Sequence, residues 1–140
     1  MNIYMDYQAT TPCDKRVVDE MLPYFSERFG NPHSGHAMGL EANECVDGAR
    51  KKIADLIKAN DPREIIFTSG ATESNNLAIK GAVHYYKSDR KKIITSTIEH
   101  KCVLETYRSL QSEGYEVVFV PVLSNGIVDM DFLKKEEGAE

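Results

Sequence analysis

The chain has only three cysteines, Cys13, Cys45 and Cys102, and no CxxC pair. An odd number set so far apart argues against a disulfide framework, gives a zinc site little support, and fits a reducing cytoplasm. No apolar run approaches the roughly 20 residues of a membrane-spanning helix, so no membrane is expected as a partner. The start, Met1-Asn2-Ile3-Tyr4-Met5-Asp6, lacks the basic and apolar regions of a secretory signal and the arginines of a transit segment. Positive charge is in deficit. Seventeen basic against 22 acidic residues give a net charge of -5, which leaves no broad positive field for a nucleic-acid duplex. Neither an internal repeat nor a Ser/Gly-rich linker divides the 140 residues. What remains is 41% hydrophobic and 28% charged, the composition of an ordinary globular chain with at most one domain's length.

Local signals divide the chain into elements. Tyr4 to Thr11 reads as extended and is closed by Pro12. Asp14 is placed to cap a helix over about Lys15 to Phe25. Gly30-Asn31-Pro32-His33-Ser34-Gly35 is a loop by its turn residues, and Ser34 is expected to cap a long helix reaching about Lys58. Within it Ala42, Cys45, Val46, Ala49, Ile53, Leu56 and Ile57 recur every three or four residues. Short β-branched apolar runs at Ile65-Ile66-Phe67-Thr68, Ile93-Ile94-Thr95-Ser96-Thr97 and Val117-Val118-Phe119-Val120-Pro121-Val122 read as strands. Helices between them carry Leu77, Ile79, Val83 and Tyr86, then Val103, Leu104, Tyr107 and Leu110, with Gly114 ending the second. Asp129 is placed to cap a last short helix.

Strand, helix, strand, helix, strand implies an α/β fold with a parallel sheet. Runs that are apolar throughout imply strands covered on both faces. About three such strands, followed by the polar tail Lys134-Lys135-Glu136-Glu137-Gly138-Ala139-Glu140, lead to the expectation that more sheet, or a partner chain, completes the layer.

The strongest chemical signal is Phe67-Thr68-Ser69-Gly70-Ala71-Thr72-Glu73-Ser74, a strand-like run turning into a helix through small residues. The first N–H groups of a helix have no internal partners, and its dipole places partial positive charge there, so a phosphate can be held without a lysine. No Gly-Lys-Ser/Thr follows, so this is not a Walker A loop. The alternative is a capping box in which hydroxyls and Glu73 only satisfy backbone donors. The second signal is Ile98-Glu99-His100-Lys101, just past a strand, where parallel sheets gather ligands. There His100 either stacks on a planar ligand and moves protons, or caps its helix. His33 and His36 lie close together without an evident third metal ligand. Cys102 and Lys101, placed by helical phase, turn away from His100, and Cys102 is expected to fill a small apolar space. The Lys91-Lys92 and Lys134-Lys135 pairs read as solvated faces.

Four segments in order resemble one family. They are Asp6-Tyr7-Gln8-Ala9-Thr10-Thr11-Pro12, Gly30 through His36, Phe67 through Asn76, and Glu99-His100-Lys101-Cys102-Val103-Leu104. Together they are similar to the cysteine desulfurases of the iron–sulfur-cluster-assembly branch, members of the class V aminotransferases. The resemblance implies part of the parallel-rich sheet of the aspartate-aminotransferase-like, fold type I large domain. An N-terminal arm, helix and loop over residues 1–35 would precede the incomplete cofactor-binding part over 36–140. It implies pyridoxal 5'-phosphate as cofactor, with Ala71 and Thr72 holding the phosphate and His100 stacking on the ring and assisting proton transfer. L-cysteine is the implied substrate, alanine and an enzyme persulfide the products, and a homodimer and an iron–sulfur scaffold protein the partners.

The family's Schiff-base lysine, in a Ser-x-His-Lys context, the aspartate that pairs with the pyridine nitrogen, and the persulfide cysteine have no counterpart among these 140 residues. The expectation is therefore a truncated, catalytically incomplete N-terminal portion. The competing expectations are a non-catalytic remnant acting as an interaction module and a small phosphate-binding α/β domain.

Overall fold

The computed structural model describes residues 2–86 and 92–138. Residue 1, residues 87–91 and residues 139–140 lie outside the described residues, and with them Lys91 and the last two residues of the expected polar tail. The chain forms two compact units, Met1–Ile66 and Phe67–Glu140.

In the first unit the N-terminal arm turns instead of extending. The Asp6 carbonyl accepts from the N–H groups of Ala9 and Thr10 at 3.0 and 3.3 Å. Helix α1 spans Lys15–Met21, with the Asp14 carboxylate accepting from Arg16 N–H. Helix α2 spans Pro23–Ser26. The single helix expected over 15–25 is divided because Pro23 has no N–H to donate and its ring crowds the carbonyl four residues back. Helix α3, Ala37–Ile57, is capped by His36, whose ring accepts from Gly39 N–H, and not by Ser34. Ser34 is held in the preceding loop, its N–H donating to the Asn31 carbonyl at 2.9 Å. Glycine at 39 allows this loop to lie against α3, since a Cβ there would meet the Ser34 oxygen at 2.1 Å.

Along α3 only Gly39 and Ala54 are buried, and Ile53, Leu56 and Ile57 remain exposed. Arg28 joins α2 to α3: its guanidinium donates to Glu41 Oε1 at 2.8 Å, Cys45 Sγ at 3.1 Å and the Tyr24 hydroxyl at 3.3 Å. A 3₁₀ turn, Pro62–Glu64, follows with a full capping box from Asp61 and Glu64. Arg50 Nη1 donates to the Ile65 carbonyl.

Residues 65–68, expected as a strand, form none. A strand exists only through a pairing neighbour, and the two strands of the described sheet pair with each other.

In the second unit, β1 (Lys92–Ser96) and β2 (Glu116–Val120) run parallel, with Lys92 opposite Glu116 and Ser96 opposite Val120. Helix α5, Lys101–Ser112, makes the crossover, as a parallel pair requires. Leu110, Thr106, Val117 and Val120 are buried and form the core. The Thr106 hydroxyl is satisfied there by the Cys102 carbonyl at 2.8 Å. All five β1 residues are half-buried, so this strand is not covered on both faces as expected.

Helix α4, Ala71–Tyr86, lies beside α5 and runs in the same direction. The contacts Asn75 to Cys102, Lys80 to Ser109 and His84 to Glu113 advance together along both helices. Helix α6, Met130–Glu137, is capped by Asp129. Lys92 belongs to no solvated face: its ammonium pairs with Glu136 at 2.8 Å and donates to the Glu136 carbonyl at 2.7 Å. That contact links β1 to α6 across a span of sequence that local patterning does not report. No helix among the described residues is long and apolar enough to cross a membrane.

Candidate functional site

Ser96 and Val120 face each other at the carboxyl end of the two-stranded sheet. His100 stands just beyond Ser96 as the cap of α5, so α5 begins at that end. Because α4 runs beside α5 in the same direction, its first residues, Ala71 and Thr72, belong to the same end. The second unit thus brings Ala71, Thr72 and His100 to one edge.

At the start of α4 the first helical bond runs from Ser74 N–H to the Gly70 carbonyl at 3.1 Å. The N–H groups of Ala71, Thr72 and Glu73 precede it, as orphan donors of a helix start do. Part of the capping reading is realised. Glu73 Oε2 accepts from both Ser69 N–H and the Ser69 hydroxyl at 2.7 Å. These bonds, the hydroxyl's first, hold the Glu73 carboxyl below its usual range. The Thr68 and Ser74 hydroxyls lie 2.6 Å apart. Ala71 and Thr72 are exposed, and no side chain among the described residues accepts from their N–H groups. Two backbone donors, a hydroxyl and a helix dipole suit a phosphate oxygen set, and the carboxylate that would repel it is tied back to Ser69.

At the start of α5, His100 Nδ1 accepts from Cys102 N–H at 3.2 Å and lies 3.1 Å from Cys102 Sγ. Asn75 Nδ2 donates to the same sulfur at 3.3 Å. Cys102 therefore does not turn from His100, nor is it a buried apolar filler; it is half-buried with its sulfur in polar contact. Helical phase failed as a guide because His100, with φ -58° and ψ 147°, lies outside the helix as its cap. Lys101 is exposed at the first helical position. The imidazole is exposed and Nε2 has no partner among the described residues, so a ring face and one nitrogen remain available. Asn75 was not singled out in the sequence. It sits three residues past Thr72, a spacing that puts both on one face of α4.

The two histidines of the first unit do different work. His36 caps α3, while His33 donates its backbone N–H to Asn31 Oδ1 at 2.9 Å. No group of three metal-ligating side chains that could hold an ion occurs among the described residues.

A parallel α/β unit with helix starts gathered at the strand ends defines a broad class of phosphate-handling folds. Residues 3–137 match the class V aminotransferases, and the chain belongs to that family. Within it the similarity narrows to cysteine desulfurases. The probable mitochondrial cysteine desulfurase of Schizosaccharomyces pombe is 56% identical over 133 residues, 94% of this chain and 26% of that relative. A NifS-like protein superposes with a TM-score of 0.87 and 44% identity over 96% of this chain and 37% of that one. SspA in complex with cysteine gives 0.83 and 41% over 98% and 39%. The chain spans 26 to 32% of the length of the curated relatives it matches first. The small parallel sheet with its helices corresponds to part of the fold type I α/β architecture of these enzymes, of which the chain covers 37 and 33% in two solved structures.

Proposed function

We propose that this chain carries the phosphate- and ring-binding part of a pyridoxal-phosphate-dependent cysteine desulfurase. The carrying observation is the convergence of the α4 start and His100 on one sheet end, joined through Asn75 and Cys102. In this reading the N–H groups of Ala71 and Thr72, with the Thr72 hydroxyl, hold the phosphate, and the His100 ring covers one face of the pyridine. Bound there, the cofactor supplies an electron sink for cleaving the carbon–sulfur bond of L-cysteine. Ser69 and Glu73 brace the turn, leaving the Ala71 and Thr72 donors free to face the ligand. The parent reaction gives L-alanine and an enzyme persulfide for iron–sulfur cluster assembly, and the partners are a second copy and a scaffold protein. Lys101 and Cys102 are not assigned to the covalent lysine or the sulfur-carrying cysteine. The three free cysteines accord with a reducing, cytoplasmic location.

Equilibrium binding of pyridoxal phosphate and of phosphate-free pyridoxal to the purified chain tests the reading. Binding should depend on the phosphate and fall in Thr72→Ala and His100→Ala. Equal binding of both ligands, or none, would overturn it.

A second reading, a non-catalytic interaction module, is favoured by apolar side chains left in solvent, among them Met5, Phe25, Phe29, Leu56, Tyr85 and Tyr86. Stable association with a complete desulfurase, without pyridoxal phosphate binding, would select it.

A further inference from the structure

We infer that Asn75 and Cys102 are positioning residues that impose one tautomer and one ring orientation on His100, an inference that rests on the reading of His100 as the ring-covering residue. A backbone N–H can only donate, so the 3.2 Å contact from Cys102 N–H requires a lone pair on His100 Nδ1. In the neutral imidazole the proton is then on Nε2. Nδ1 has only that one lone pair, so the Cys102 thiol at 3.1 Å shares it with the Cys102 N–H as a second, bifurcated donor. The sulfur in turn accepts from the Asn75 amide at 3.3 Å. A directed series, Asn75 to Cys102 to His100, thus runs from α4 to the tip of the strand-end loop.

Two consequences follow for the site. Flipping the imidazole would carry Nδ1 away from both donors, so the ring plane is held by two contacts and not by the cap alone. Nε2 presents an N–H outward, so His100 at rest offers a hydrogen-bond donor. The residue thereby offers a ring face and, at Nε2, a hydrogen-bond donor. Asn75 belongs to the same helix as Thr72, so one rigid element sets both the phosphate donors and the imidazole orientation.

Two-bond ¹H–¹⁵N correlation spectra of the full chain labelled at histidine nitrogens read the tautomer directly, with His100 assigned by its loss in His100→Gln. In its neutral imidazole the wild type should show a single Nε2–H form. Cys102→Ala should shift the Nδ1 resonance toward weaker hydrogen bonding, and Cys102→Ser should restore it through the hydroxyl. Asn75→Ala should move it in the same direction as Cys102→Ala, by less. Pyridoxal phosphate affinity should fall about two- to five-fold in Cys102→Ala, the range of one weak neutral hydrogen bond, and recover in Cys102→Ser.

A tautomer mixture or an Nδ1–H form in the wild type would overturn the inference without any variant, as would a Cys102→Ala spectrum unchanged at His100. A single Nε2–H form in a chain that shows no phosphate-dependent binding would support the positioning and overturn the functional reading instead. Phosphate-dependent binding with mixed tautomers would do the reverse.

Discussion

His100 Nδ1 and Cys102 Sγ lie 3.1 Å apart although helical phase points the two side chains in different directions. The contact exists because His100 ends the strand-end loop and caps α5, so that only Cys102 obeys the helix. A cap places its side chain over the first turn, within reach of the second helical residue. The same geometry makes His100 part of the backbone's hydrogen bonding and leaves its other nitrogen exposed.

Thr72→Ala should weaken pyridoxal phosphate binding by about 0.5–1.5 kcal/mol if the hydroxyl bond is worth an ordinary neutral one, and by about 1.5–3 kcal/mol if it is worth a bond to a charged phosphate. Pyridoxal binding should not change. Isothermal titration with the two ligands checks this, and an equal loss for both would remove Thr72 from the phosphate site.

Glu73 should make the α4 start pH-sensitive. Its carboxyl is held below the ordinary value by the Ser69 hydroxyl and N–H, so the stabilisation is complete above the ordinary carboxylate value. It is lost as pH falls through the lowered folded value. Protection of the Ser69 amide against hydrogen exchange, corrected for intrinsic rates, should drop over that acidic window in the wild type. Glu73→Gln should not show the drop.

Leu110 is completely buried between α5 and the sheet. Leu110→Ala should cost about 2–5 kcal/mol through lost transfer energy and a cavity. A fall in the urea midpoint of the chain's circular dichroism transition measures it.

Two glycines of α3 should respond oppositely to alanine. At Gly39 a Cβ would meet backbone oxygens of Ser34 and Asn31 at 2.1 and 2.8 Å, and the loop must move. The cost should be about 1–3 kcal/mol. At Gly48 nothing lies within 4 Å, and Gly48→Ala should stabilise by about 0.5–1 kcal/mol through helix propensity. Thermal unfolding of both variants beside the wild type tests the pair.

The amino-acid sequence by itself determined the local elements, because their signals act within one or two turns. Asp14 and Asp129 cap α1 and α6, Gly114 follows α5, and the runs expected as strands at 93–97 and 117–122 form strands that end at Ser96 and Val120. The order of four short motifs also led to the family. What it left undetermined depends on segments distant in sequence coming side by side. Ile65 to Thr68 has a strand's composition, yet pairing is settled between strands, and β1 and β2 take each other. Ser34 has a capping side chain, but the fit of its loop against Gly39 leaves the cap to His36. Lys92 on β1 finds Glu136 on α6, and Asn75 on α4 finds Cys102 on α5, only because these elements come side by side. A hydrogen bond reaches about 3 Å whatever the sequence separation, so these contacts belong to the tertiary structure alone.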